Sequence, residues 1–241
     1  MEESLDILAF APHPDDVELG CSGSLIAAAD KGWRVGVADL TAGELSSRGT
    51  PEQRIRETER ATALLGLAGR YCLGLPDGGI GTHPDHRQPI IEVVRRTRPR
   101  IVLAPYWEDR HPDHYRSSTL VREACFFAGV GKIGEGEPYR PPLLYYYLLH
   151  TPFSPSFIVD VSSVWERRMD AVRAYESQFM ASQKTATTAL SRPGFLRALE
   201  ARAVWFGWMI GVTHGEPFLS AAPMAVGSLP GLPQRADFPD P

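Results

Sequence analysis

Two four-residue clusters, His13-Pro-Asp-Asp16 and His111-Pro-Asp-His114, each stand directly behind a short, largely apolar run, Leu5–Ala11 and Ile101–Pro105. Runs of this kind are expected of parallel strands buried on both faces. Neighbouring strands lie about 4.8 Å apart. Residues just past the ends of two adjacent parallel strands can therefore share one ion. The pairing constrains the fold, because the clusters meet only if the two runs lie side by side.

The rest of the first half supports such a fold. Helices are expected at Ser24–Lys31, Pro51–Leu65, Arg87–Arg98 and His114–Phe127, and further strands at Arg34–Leu40 and Tyr71–Leu75. Gly32 and Gly66 are placed to end the first two helices, and Pro51 opens the second. Strand and helix alternate, which predicts an α/β, doubly wound, Rossmann-like and mostly parallel sheet with helices on both faces. Such sheets bind ligands beyond the carboxyl ends of the strands, where the order reverses. With order 3-2-1-4 the two clusters follow the strands at that point.

After residue 128 the pattern changes. Gly129–Pro142 is a loop, and Leu143–His150 and Ser156–Val161 are strands. Ser163-Val-Trp-Glu166 has the form of a capping box opening a helix to about Ser177. A polar loop and a helix over Pro193–Ile210 follow. From Pro217 the chain is expected to be irregular. The division is one domain over 1–241: a doubly wound core at 1–128, C-terminal strands and helices at 129–216, and a tail at 217–241.

Composition narrows the function classes. The formal net charge is −4, and the basic residues are dispersed, so no nucleic-acid stripe or polybasic membrane patch is expected. No stretch is long and apolar enough to span a bilayer, and Met1-Glu-Glu-Ser is no signal peptide, so the expectation is cytoplasmic. Cys21, Cys72 and Cys125 are widely spaced, which argues against a disulfide framework or a thiolate zinc site. Cys21 is read as a small buried hydrophobe rather than a reactive thiol.

Zinc that performs hydrolysis wants three His, Asp or Glu ligands and one open position for water. The two clusters together supply such a set and leave a carboxylate and an imidazole for proton transfer. A third cluster, His83-Pro-Asp-His86, copies the second but follows strand three, and it sits beside a Gly-rich loop, Asp77-Gly-Gly-Ile-Gly. It is taken as a surface loop and helix start, not a metal site. A dinucleotide-binding module is disfavoured, because no Gly-x-Gly-x-x-Gly opens the first helix. A structural zinc site would be closed and rich in cysteine.

The segments Ala11-Pro-His-Pro-Asp-Asp-Val-Glu-Leu-Gly20, Thr41-Ala-Gly-Glu44, Arg56-x-x-Glu59 and Asp109-Arg-His-Pro-Asp-His114 resemble the PIG-L/LmbE-like zinc-dependent N-acetylglucosamine deacetylases. Tyr145-Tyr-Tyr, Phe157-Ile-Val-Asp160, Ala174-Tyr-Glu-Ser-Gln-Phe179 and Phe206-Gly-x-x-Ile-Gly211 look most like the bacillithiol-pathway branch, which deacetylates N-acetylglucosaminyl L-malate. The resemblance implies one zinc or other divalent ion per subunit, held by His13, Asp16 and His114. It implies Asp15 as general base, His111 as oxyanion stabiliser and Asp113 as the group orienting His111. It also implies a small sugar-conjugate substrate and a homo-oligomer, often a hexamer. Where relatives are expected to carry a tyrosine, this chain has Gly211-Val-Thr-His214, so His214 stands in for it or the role is absent.

Alternatives accompany these assignments. Asp15 could be a helix N-cap. His111 could be a loop histidine bonded to Asp113, or could trade roles with His114. Glu44, Ser46, Ser47 and Arg48 are candidates for sugar hydroxyls; Arg48, Arg56 and Arg110 are candidates for a substrate carboxylate. Arg56 and Glu59 equally suit a helix-surface pair. Tyr106 and Trp107 could stack on a sugar or lie buried. An amidase acting on larger thiol conjugates and a deacetylase of chitobiose-like sugars are the rival activities.

Overall fold

The computed structural model describes residues 3–179 and 187–225. Its first half runs β1 (Ile7–Ala11), α1 (Asp16–Gly20), α2 (Ser22–Asp30), β2 (Val35–Asp39), α3 (Pro51–Leu65), β3 (Gly69–Cys72), α4 (Pro84–Thr97), β4 (Ile101–Pro105) and α5 (Pro112–Ala128). There follow β5 (Leu143–Tyr147), β6 (Phe157–Asp160), α6 (Trp165–Arg173), α7 (Glu176–Phe179), α8 (Phe195–Met209) and β7 (Gly215–Ser220). The strands form one sheet in the order β3-β2-β1-β4-β5-β7-β6. β3 through β5 are parallel, and β7 runs antiparallel to both β5 and β6. Ile7 of β1 faces Val35 on one side and Ile101 on the other, so β1 and β4 are neighbours. This is the expected doubly wound sheet.

Alternation along β1 divides the core. Ala9 and Ala11 pack with Leu25, Leu65, Met169 and Leu199, under α2, α3, α6 and α8. Leu8 and Phe10 pack with Ile90, Val94, Leu120 and Val121, under α4 and α5. Among the described residues no helix is long and apolar enough to cross a membrane.

Three local expectations are corrected. The chain is not irregular from Pro217, since β7 crosses that boundary. Proline is excluded from strands paired on both sides because it cannot donate to the ladder. Here β5 pairs with β7 only from Phe218 onward, and Pro217 faces only Ile158 of β6. Ser163 opens no capping box: residues Ser162–Val164 form a 3-10 turn, Asp160 Oδ1 accepts from the Ser162 amide at 2.9 Å, and α6 starts without a side-chain cap. The helix expected to reach Ser177 is split into α6 and α7. Residues 226–241, and part of the polar loop expected before α8, lie outside the described residues.

Besides its pairing with β5, β7 is tied to α2 and α6 by one carboxylate. Glu216 accepts from the amides of Gly23 and Ser24 at 2.9 and 2.7 Å, at the start of α2. It also accepts from Arg168 Nε at 3.2 Å, with both side chains almost fully buried. Carboxylates favour helix N-termini, and a buried charge is tolerated when paired. Glu216→Ala would strand Arg168. Chemical denaturation should then show a loss of about 3–5 kcal/mol; a change well under 1 kcal/mol would contradict the anchoring role.

Candidate metal centre and active-site cavity

The loops after β1 and β4 present their side chains through two different turns. After β1 the chain reverses at Asp15, whose φ of 114° lies in the left-handed region. A non-glycine residue there is strained, which marks a functional constraint. The His13 amide donates to Asp16 Oδ2 at 3.0 Å, closing the turn. After β4, His111 caps α5, its Nδ1 accepting from the Asp113 amide at 3.2 Å with Pro112 at the first helical position. His83 caps α4 in the same way, accepting from the Asp85 amide at 3.3 Å. The repeated His-Pro-Asp-His pattern is thus a helix start in both places. His83 and His86 join no metal-capable group among the described residues.

Three atoms converge between the two loops. Asp16 Oδ2 lies 3.1 Å from His13 Nδ1 and 3.4 Å from His114 Nε2. His13, Asp16 and His114 form a group whose donor atoms all lie within 4.8 Å of one another. The far nitrogens face carboxylates. His13 Nε2 lies 3.2 Å from both Asp113 Oδ2 and Asp77 Oδ1. His114 Nδ1 lies 3.1 Å from Asp109 Oδ1. Metal-ligating histidines characteristically turn their second nitrogen to a carboxylate, which fixes the tautomer and raises basicity.

Electrostatics agree with that donor set. Burial alone would lower His13, but hydrogen bonds to Asp113, Asp16 and Asp77 outweigh it and raise the imidazole to about 12. Burial is likewise overcome at His114, which the Asp16 charge and the Asp109 hydrogen bond raise to about 9. Burial would raise Asp16, yet His114 and His13 hold it well below the usual carboxylate range. The surplus of buried carboxylate is balanced by protons on the two imidazoles. A divalent cation among the same atoms supplies that balance, so the residues fit a metal.

Asp15 lines the cavity beside this centre. Its side chain makes no cap bond to α1, so it is not a side-chain N-cap. Instead Arg54 Nη1 lies 3.3 Å from Asp15 Oδ2, and Arg54 also donates to the Pro14 carbonyl. Burial pushes Asp15 up to about 7, and the Arg54 guanidinium restrains that rise. A carboxylate poised near neutrality is suited to proton transfer.

His111 meets Asp113 through the backbone. Burial, with His114 and His13 nearby, lowers its pKa, and Nδ1 accepts a backbone hydrogen bond. With Nδ1 engaged as an acceptor, Nε2 is the ring nitrogen left to face the cavity. Asp113 holds His111 through its backbone amide; its carboxylate faces His13 and accepts from the Gly78 amide at 2.7 Å. The contact between Asp113 and His111 thus runs through the Asp113 backbone amide.

The cavity has a volume of about 380 Å³ and is walled further by Leu45, Ser46, Ser47, Arg110, His150 and Gln178. Arg110 makes no ion pair among the described residues. Glu44 is exposed and accepts from the Asp77 amide at 2.7 Å, shaping the loop. Arg48 is buried, with Nε donating to the Ser177 carbonyl at 2.9 Å, and lines a neighbouring cavity. Arg56 is exposed on α3 and lines neither cavity. The buried pair is Arg54 and Glu57, the latter accepting from the Ser177 amide at 2.7 Å. His214 does not reach the cavity either. Its ring lies flat on Trp165, centroids 4.2 Å apart. Tyr106 is buried between Trp107 and Phe153 rather than open to a sugar. Cys21 is buried, and burial pushes its thiol well up, away from reactivity.

Sequence reasoning missed Asp77, Asp109, His150 and Arg54. Asp109 binds the centre together: it accepts from the His111 amide at 2.9 Å and from the His150 amide at 3.1 Å, and it contacts the rings of His114 and His150. Its place two residues before His111 was a usable signal. Asp77 had one as well, since it opens a Gly-rich loop able to reach across a strand. His150 carried no local signal.

The model of the family described as PIG-L: GlcNAc-PI de-N-acetylase matches residues 8–125. Diacetylchitobiose deacetylase of Thermococcus kodakarensis is 32% identical over 189 residues, covering 72% of this chain and 70% of that protein. A probable N-acetyl-alpha-D-glucosaminyl L-malate deacetylase 2 of Bacillus anthracis is 28% identical over 137 residues, covering 52% and 61%. Among solved structures, the conserved protein TT1542 of Thermus thermophilus superposes with a TM-score of 0.86 at 42% identity, covering 93% of this chain and 98% of that one. With both clusters inside the matched segment and the similarity to the Thermococcus deacetylase extending over 72% of the chain, the chain belongs to the PIG-L/LmbE-like family of N-deacetylases.

Proposed function

We propose that this enzyme is zinc-dependent and hydrolyses the acetamide of a small N-acetylglucosamine conjugate, releasing acetate and a free amine. The observation that carries the reading is Asp16 set between two imidazoles whose far nitrogens face carboxylates. His13, Asp16 and His114 would hold the ion. Bound zinc lowers the pKa of its water toward about 7 and polarises a carbonyl oxygen. Asp15 takes the proton of the attacking water and passes it to the departing amine nitrogen. His111 donates Nε2–H to the acetamide oxygen as charge develops there. Asp113 and Asp109 hold the two ligand rings. The implied setting is a cytoplasmic homo-oligomer.

Two conjugates are in contention. N-acetylglucosaminyl L-malate, in bacillithiol biosynthesis, accords with the Bacillus relative and needs a cation for its carboxylates. That Arg110 lines the cavity supports this reading, whereas Arg56 lines neither cavity. A chitobiose-like disaccharide accords with the longer and closer match to the Thermococcus relative.

Amine release from both substrates, with zinc and with chelator, tests the reading. Chelator-sensitive release from either supports it, and none from folded, zinc-loaded protein refutes it. A second experiment addresses Asp15. Arg54 lowers the Asp15 pKa, so Arg54→Met should raise it and move the acid limb of kcat/KM to higher pH. An unmoved limb would show that Asp15 is not the titrating base.

A further inference from the structure

A second cavity, of about 420 Å³, opens beside the catalytic one and shares His150 with it. Its wall is built from Leu148, Pro152, Phe153, Trp205 and Met209. Trp205 is 59% exposed, and Trp208, one helical turn on, is 61% exposed and stacked on it with centroids 5.5 Å apart. Large exposed aromatics next to a reaction cavity signal a contact site rather than a core. The cavity also lacks an available cation among the described residues. Its lining arginine, Arg202, donates to the carbonyls of Leu149 and Leu19, and burial lowers it to about 10. A carboxylate entering here would meet no free partner.

We infer that this shelf is the subsite for a second sugar ring, seated with its C–H face on the Trp205 indole while the N-acetylglucosamine lies in the catalytic cavity. The inference rests on the deacetylase reading and favours the disaccharide over the malate conjugate. A pyranose offers a flat apolar face and hydroxyls that stay in water at an open rim, which suits an exposed tryptophan and a wall poor in polar groups. The shared His150 supplies the continuity: it is tied by Asp109 to the metal centre on one side and walls the shelf on the other.

Acetate release from N-acetylglucosamine and from N,N'-diacetylchitobiose should be measured on zinc-loaded wild type, Trp205→Ala and Trp205→Phe. Loss of the stack should lower kcat/KM on the disaccharide by about 10-fold, through KM. Turnover of N-acetylglucosamine should be unchanged, and Trp205→Phe should retain most of the disaccharide preference. Equal losses on both sugars, or none on either, would overturn the subsite. If the wild type hydrolyses neither sugar, N-acetylglucosaminyl L-malate is assayed next, and the deacetylase reading fails only if that too is untouched. Tryptophan fluorescence titration then decides: saturable quenching by the disaccharide, absent in Trp205→Ala, supports the shelf, and identical titrations of both proteins overturn it. A change in sedimentation of Trp205→Ala with disaccharide preference intact would also overturn it, assigning the face to a second copy of the chain.

Discussion

The arrangement depends on a buried excess of carboxylate around two imidazoles. Asp16 faces both rings, while Asp113, Asp77 and Asp109 stand behind them. Burial makes such charges costly unless they are compensated. In the protein alone the compensation is two protons. That requirement explains why residues from the loops after β1, β3 and β4 meet at one point. The parallel sheet makes it possible, since β1 and β4 are adjacent and end on the same side.

The same centre organises what lies around it. Arg54 reaches from α3 to Asp15 and the Pro14 carbonyl, so α3 steadies the strained turn after β1. Asp109 links His111, His114 and His150, so the loop after β5 is fixed by the group that backs the His114 ring. The antiparallel end of the sheet is joined to the core away from the chemistry, through Glu216, Arg168 and the start of α2. Reaction cavity and structural anchor are thereby separate charge networks.

Much of this was legible in the sequence, and what was not has physical reasons. The doubly wound core was readable because apolar runs and helix-stop signals are local. The convergence of the two clusters followed from topology, while the choice of His13, Asp16 and His114 within them came from the family resemblance. The identity of the buried Arg-x-x-Glu pair was not readable, because Arg54 with Glu57 and Arg56 with Glu59 have the same spacing and differ only in the face of α3 they occupy. β7 was hidden by Pro217, which the one-sided pairing tolerates. The lowering of the His111 pKa comes from burial and the neighbouring His114 and His13 rings, which spacing does not encode. His214 was placed by motif position, but stacking on Trp165 took its ring elsewhere.

The most direct test of the central claim is proton release when zinc binds. Calorimetric titration of metal-free protein at pH 7, in two buffers of different ionisation enthalpy, reads both stoichiometry and protons exchanged. With His13 raised to about 12 and His114 to about 9, both rings carry protons that the ion must displace. The account predicts one zinc per chain and about two protons released. Binding without proton release, or no stoichiometric binding, would contradict it.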